Sequence, residues 1–143
     1  MKNENRLRIN ILFVCSGNTC RSPMAKALAE ELFRNSAYIK SAGIDTYGGE
    51  SATQEAIQVL EERNINIQEH RSRNIKELKN RQWQVVIAMT PNIKKRLVES
   101  KSISTDSLIA WEIPDPFGKG IEAYRECAES IEVRLKELLS TIK

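Results

Sequence analysis

Apolar residues in this chain fall into short runs whose spacing alternates between the period of a buried strand and that of a helix. From Arg8 onward, Ile9, Ile11, Leu12, Phe13 and Val14 make a β-branched and aromatic run that predicts a strand covered on both faces. Ser22-Pro23 predicts a helix start, with serine as the N-cap and proline at the first helical position. Met24, Ala27, Leu28 and Leu32 then recur at helical spacing and give that helix one apolar stripe for the sheet. Tyr38 to Ser41 reads as a second strand, closed by Ala42-Gly43.

Thr53 to Arg63 carries Ala56, Ile57 and Leu60 at helical spacing, with Asn64 as the stop. Trp83 to Met89 is another buried strand, and Thr90-Pro91 caps a helix running through Leu97 and Val98. Leu108 to Trp111 is the last strand candidate. Ile121, Tyr124, Ala128, Ile131, Leu135, Leu138 and Ile142 then mark one face of a long terminal helix. Strands alternating with helices predict an α/β fold: a four-stranded parallel sheet with right-handed crossovers and helices on both faces. Ligands of such sheets bind beyond the carboxyl ends of the strands, which makes the loop after the first strand the place to look for chemistry.

No internal repeat, low-complexity tract or long linker interrupts this pattern. The 143 residues are expected to form one domain, with the polar stretch 1–7 as a flexible leader. Twenty-two Lys and Arg against 19 Asp and Glu leave a net charge of +3 with no long basic run, so nucleic acid is not an expected partner. The longest apolar stretches, Ile11 to Cys15 and Val85 to Met89, are far below the ~20 residues that span a bilayer, and no signal-peptide pattern precedes them. A cytoplasmic protein without a membrane partner is expected, as a monomer. Three irregularly spaced cysteines make no disulfide framework. Cys15, Cys20 and the single histidine, His70, supply too few ligands for zinc.

The segment VCSGNTCRSP joins the first strand to the first helix and places a cysteine, a glycine and an arginine around a helix N-terminus. Amide groups entering a helix carry partial positive charge and can together hold a phosphate dianion. Gly17 is expected to let that backbone turn tightly, and Arg21 to add a planar fork for two phosphate oxygens. At the start of this ring Cys15 is expected to be a nucleophilic thiolate, with its pKa drawn below the usual ~8.5 by the same field. The Ser22 hydroxyl is placed to hydrogen-bond the sulfur when it leaves.

Departure of a leaving group needs a proton. In Ile113-Pro114-Asp115-Pro116-Phe117-Gly118, two prolines hold Asp115 in a stiff extended loop, at the end of the sheet where Cys15 is expected. Asp115 is therefore the candidate general acid, and in a second step the same carboxylate can take a proton from attacking water.

These motifs resemble those of the low molecular weight protein tyrosine phosphatases, and the resemblance runs from Ile11 to the terminal helix. It is closest to the bacterial members, which include protein-arginine phosphatases. It implies a protein phosphatase acting through a cysteinyl-phosphate intermediate on phosphorylated protein side chains, with no metal and no cofactor. By the same match Cys15 is the nucleophile, Arg21 the phosphate clamp and Asn18 a brace for a loop made of Ser16, Gly17, Asn18, Thr19, Cys20 and Ser22. Ser41 in SAG and His70 in EHRSR match family positions that join Asn18 and Ser22 in a network beneath that loop. Phe117-Gly118 stands where many eukaryotic members have two tyrosines.

Thr19 occupies a position that is commonly aliphatic in members acting on phosphotyrosine, and threonine there resembles the protein-arginine phosphatases. A threonine hydroxyl can hydrogen-bond a guanidinium or the attacking water, which isoleucine cannot. Tyr47, beside Gly48-Gly49, and Phe117 are candidates for the substrate rim. Cys20, five positions from Cys15, is spaced for a reversible disulfide that would shield the nucleophile, whereas Cys127 reads as helix packing. Two rivals stand beside this reading. Arsenate reductase of the same fold needs further exchange cysteines, and Gln82 to Lys95, where related reductases place them, has none. A phosphate-binding module without turnover would be expected to lack Cys15 or Asp115.

Overall fold

A computed structural model describes residues 8–142; the stretch read as a leader lies outside the described residues. Four strands form one sheet: β1 (Ile9–Cys15), β2 (Ala37–Gly43), β3 (Gln82–Ala88) and β4 (Ser104–Ala110). All pairings are parallel and the order is β2-β1-β3-β4. Between and after them run α1 (Arg21–Phe33), α2 (Gln54–Glu61), α3 (Pro91–Ser100) and α4 (Ile121–Ile142).

From β1 the chain crosses to β2 on one side, then returns past β1 to β3 on the other. Right-handed crossovers in opposite directions put α1 and α3 on opposite faces of the sheet. The reversal lies between β1 and β3, whose carboxyl ends splay their loops apart and leave a crevice. Register brings Cys15 opposite Gly43, Val14 opposite Ala88 and Ala88 opposite Ala110, so the strand ends reach one edge together.

The central strands explain the continuous apolar runs. Ile11 through Val14 and Val86 through Met89 are fully buried, and Phe13 packs its ring against Trp111 at 5.9 Å between centroids. The stripe of α4 lies inward through Tyr124, Ala128, Ile131 and Leu135. Thr53 and Thr90 cap α2 and α3 through their side chains, and the chain after α2 turns at Asn64 in the left-handed region.

Two local expectations need correction. The last strand begins at Ser104, four residues before the apolar signal, because β4 is an edge strand whose outer residues meet water and need no hydrophobic pattern. The first helix begins at Arg21 after Cys20, and Ser22 is not its cap: the hydroxyl is engaged by other side chains. Pro23 is then the third helical residue, still inside the first turn, where a missing N–H costs no helical bond.

Candidate active site

Cys15 ends β1 with its side chain at the floor of a cleft of about 340 Å³, lined also by Ser16, Gly17, Thr19, Cys20, Arg21, Glu50, Asp115 and Phe117. The loop leaves the strand, makes its sharpest turn and enters α1 within five residues. That turn falls on Asn18, at φ 60°, and not on Gly17 as expected. A Cβ at Gly17 would make only ordinary contact, whereas asparagine is one of the few residues that adopt the left-handed region readily. Gly43 at the end of β2 is the glycine the loop requires: a Cβ there would lie 2.7 Å from the Ser16 carbonyl oxygen and 3.1 Å from the Asn18 nitrogen.

Asn18 is completely buried and every polar atom of its side chain is used. The Arg73 backbone N–H donates to Oδ1 at 3.0 Å, which fixes the orientation of the amide. Nδ2 therefore donates, to Ser22 Oγ at 2.7 Å and to Ser41 Oγ at 3.0 Å. Ser22 Oγ also lies 2.9 Å from Cys15 Sγ, a pair in which the thiol can donate to the hydroxyl and the hydroxyl to a thiolate. The Asn18 backbone N–H donates to the same sulfur at 3.2 Å. His70 Nε2 lies 2.7 Å from the Asn18 carbonyl oxygen, which requires the hydrogen on Nε2.

Burial pushes the Cys15 thiol above its ordinary value, while the hydrogen bonds of Ser22, the charge of Arg21 and the Asn18 amide pull it down. The expected lowering is thus corrected: Cys15 is 2% exposed, and desolvation outweighs the donors near its sulfur. Desolvation also lowers His70, which sits among Lys26, Arg71 and Arg73 and is held neutral near pH 7.

Arg21 is 6% exposed, and its Nη1 donates to the Ile113 carbonyl at 3.0 Å. Its Nη2 lies 3.8 Å from Asp115 Oδ2. One guanidinium thus ties the loop after β1 to the loop after β4 and sets the carboxylate beside the cleft. Asp115 Oδ1 accepts the Phe117 N–H at 3.1 Å, an Asx turn that fixes the carboxyl between its two prolines.

Cys20 turns its sulfur away towards α4, 3.2 Å from Tyr124 Oη and 3.7 Å from Thr53 Oγ1, and all three cysteines are free thiols. Burial pushes Cys127 up to about 12. Tyr47, expected on the substrate rim, is fully exposed, and Phe117, expected there with it, lines the cleft. Gly48 and Gly49, both at positive φ, bend the chain after Tyr47, and Glu50 lines the cleft as well. Ser16 carries a second feature not foreseen: its hydroxyl donates to Asp45 Oδ2 at 2.7 Å, and Arg96 clamps the same carboxylate with bonds of 2.9 and 2.7 Å.

Residues 10–143 match the family model described as low molecular weight phosphotyrosine protein phosphatase. The chain is 39% identical to a protein-arginine-phosphatase of Geobacillus stearothermophilus, over 92% of this chain and 96% of that one. It is 30% identical to the low molecular weight protein-tyrosine-phosphatase Wzb of Escherichia coli (strain K12), over 80% and 82% of the two chains. Among solved structures it is similar to a mutant of the arginine phosphatase YwlE with a phosphorylated active-site serine, with a TM-score of 0.85 and 28% identity. That similarity covers 94% of this chain and 95% of the other.

Proposed function

The chain belongs to the low molecular weight phosphotyrosine protein phosphatase family, and from that premise we propose that it hydrolyses phosphorylated protein side chains through a phosphoryl group carried on Cys15. One observation carries the assignment of roles: a sulfur that accepts the Asn18 N–H and lies 2.9 Å from the Ser22 hydroxyl shares a cleft with a buried arginine and a carboxyl group. The phosphorylated serine of the YwlE mutant supports a covalent intermediate in a relative.

In the first step Arg21 and the loop amides hold the phosphate. The thiol gives its proton to the dianionic phosphoryl group, and the sulfur attacks phosphorus in line with the leaving atom. The bond from phosphorus to the substrate atom breaks, and Asp115 supplies the leaving group's proton. In the second step water attacks the cysteinyl-phosphate and its proton returns to Asp115. The sulfur leaves as a thiolate that receives the Ser22 hydrogen bond, and phosphate is released. Arsenate reduction is disfavoured, because the stretch 82–95 holds no cysteine to continue a disulfide relay.

Phosphoarginine is the proposed side chain. Thr19 lines the cleft with a hydroxyl that a guanidinium can use, and a relative 39% identical is named for that activity. A free thiol at the reacting position suits a reducing compartment, and the cytoplasm is the proposed location. The test is a side-by-side assay of one protein carrying phosphoarginine or phosphotyrosine. A higher kcat/KM on phosphoarginine is expected, lost preferentially in Thr19→Ile, and turnover of phosphotyrosine alone would overturn the substrate assignment.

A further inference from the structure

Glu50 is a carboxylate on the rim of a cleft whose floor is built for an anion. Its backbone is fixed by one residue on both sides. The Glu50 N–H donates to Ser72 Oγ at 2.9 Å, and its carbonyl accepts the Ser72 N–H at 2.7 Å. The preceding Gly49 N–H donates to the Ser72 carbonyl at 2.8 Å, and Ser72 itself is buried. The Glu50 side chain accepts one hydrogen bond, from Thr46 Oγ1 to Oε1 at 3.2 Å, which leaves Oε2 open.

Among the described residues Glu50 has no cationic partner. Asp45, bonded to the cleft residue Ser16, is by contrast clamped by Arg96. An unpaired carboxylate near a phosphate site repels the incoming dianion. The repulsion is offset when the substrate brings positive charge next to its phosphate. A phosphorylated guanidinium does so, with planar N–H groups that match a carboxylate. A phosphorylated phenol brings only a neutral ring.

We propose that Glu50 is the residue with which this cleft selects a phosphorylated guanidinium over a phosphorylated phenol, an inference that rests on the phosphatase reading above. Oε2 accepts from the guanidinium nitrogens while Arg21 and the loop hold the phosphate, so one substrate group is read at two places. Glu50 takes no proton and makes no bond in the reaction. Its contribution lies in which substrate is bound.

The test compares the wild type with Glu50→Gln and Glu50→Lys on two peptides of one sequence, carrying phosphoarginine or phosphotyrosine, at low and moderate salt. The glutamine keeps the shape and the acceptor for Thr46, and thermal melting checks that each variant is folded. The ratio of kcat/KM on phosphoarginine to that on phosphotyrosine is expected to fall about tenfold in Glu50→Gln, the scale of one charge-assisted hydrogen bond, and further in Glu50→Lys. Salt is expected to erode the wild-type preference more than that of Glu50→Gln. A wild-type ratio retained in both variants, or equal losses on both peptides, would remove Glu50 from selection while leaving the substrate reading intact. A wild type that fails to turn over phosphoarginine would remove the substrate reading and the inference with it.

Discussion

Asn18 Nδ2 donates to Ser22 Oγ at 2.7 Å, and this one bond ties the turn of the loop to the first turn of α1. Because Arg73 N–H occupies the asparagine oxygen, the amide cannot flip, and Ser22 Oγ is held 2.9 Å from Cys15 Sγ, where it can donate to the sulfur as a thiolate. The loop is thereby held by a side chain buried beneath it as well as by its own backbone.

Asn18→Ala is therefore expected to lower both stability and turnover. It leaves the Arg73 N–H and two serine hydroxyls without their partner and puts a β-carbon in the left-handed region without a local polar group. A loss of about 2–3 kcal/mol in a urea titration follows from the buried groups alone.

Ser22→Ala tests the second step in particular. Loss of a hydrogen bond to a leaving thiolate slows breakdown of the intermediate by about 10–100-fold, while the first step is affected less. Rapid mixing with p-nitrophenyl phosphate is expected to give a clear burst of phenolate followed by a slow steady state. Equal slowing of burst and steady state would place Ser22 elsewhere in the mechanism.

Asp115→Asn removes the proton donor but keeps the Asx turn onto Phe117. Its effect is expected to depend on the leaving group: about 100-fold or more for phenyl phosphate, which needs protonation, and much less for p-nitrophenyl phosphate. A uniform loss over the series would point to Asp115 acting only by holding Arg21.

His70 gives a pH signature of stability. Its folded pKa lies below the unfolded value of ~6.5, so the unfolded chain binds the proton more readily. Its contribution is then full above the unfolded pKa and is lost as pH falls through the folded one. Urea midpoints are expected to drop between pH 7.5 and 5.5 more steeply in wild type than in His70→Gln, and parallel curves would contradict this.

The sheet and the meeting of Cys15, Arg21 and Asp115 at one cleft were legible because they follow rules local to the sequence. Ile11 to Val14 and Val86 to Met89 read as strands since burial on both faces leaves no polar position. Cys15, Arg21 and Ser22 read as a phosphate site because their spacing follows a strand into a helix. What escaped depended on contacts distant in sequence. Ser104 to Ser107 carry no apolar signal because an edge strand meets solvent. Ser22 looked like a cap until Asn18 and Cys15 competed for its hydroxyl. Glu50 reaches the cleft after two left-handed glycines whose bend cannot be read from composition. The Cys15 thiol was misjudged in direction because burial depends on how tightly the finished loop closes over the sulfur.

The central claim is that phosphorus becomes bonded to the Cys15 sulfur during turnover. Acid-quenching the wild type within milliseconds of mixing with substrate, followed by peptide mass spectrometry, measures this directly. A phosphoryl group on the peptide containing Cys15, located on the sulfur and missing in Cys15→Ala, is the predicted result. Phosphate on another residue, or turnover by Cys15→Ala at the wild-type rate, would contradict it.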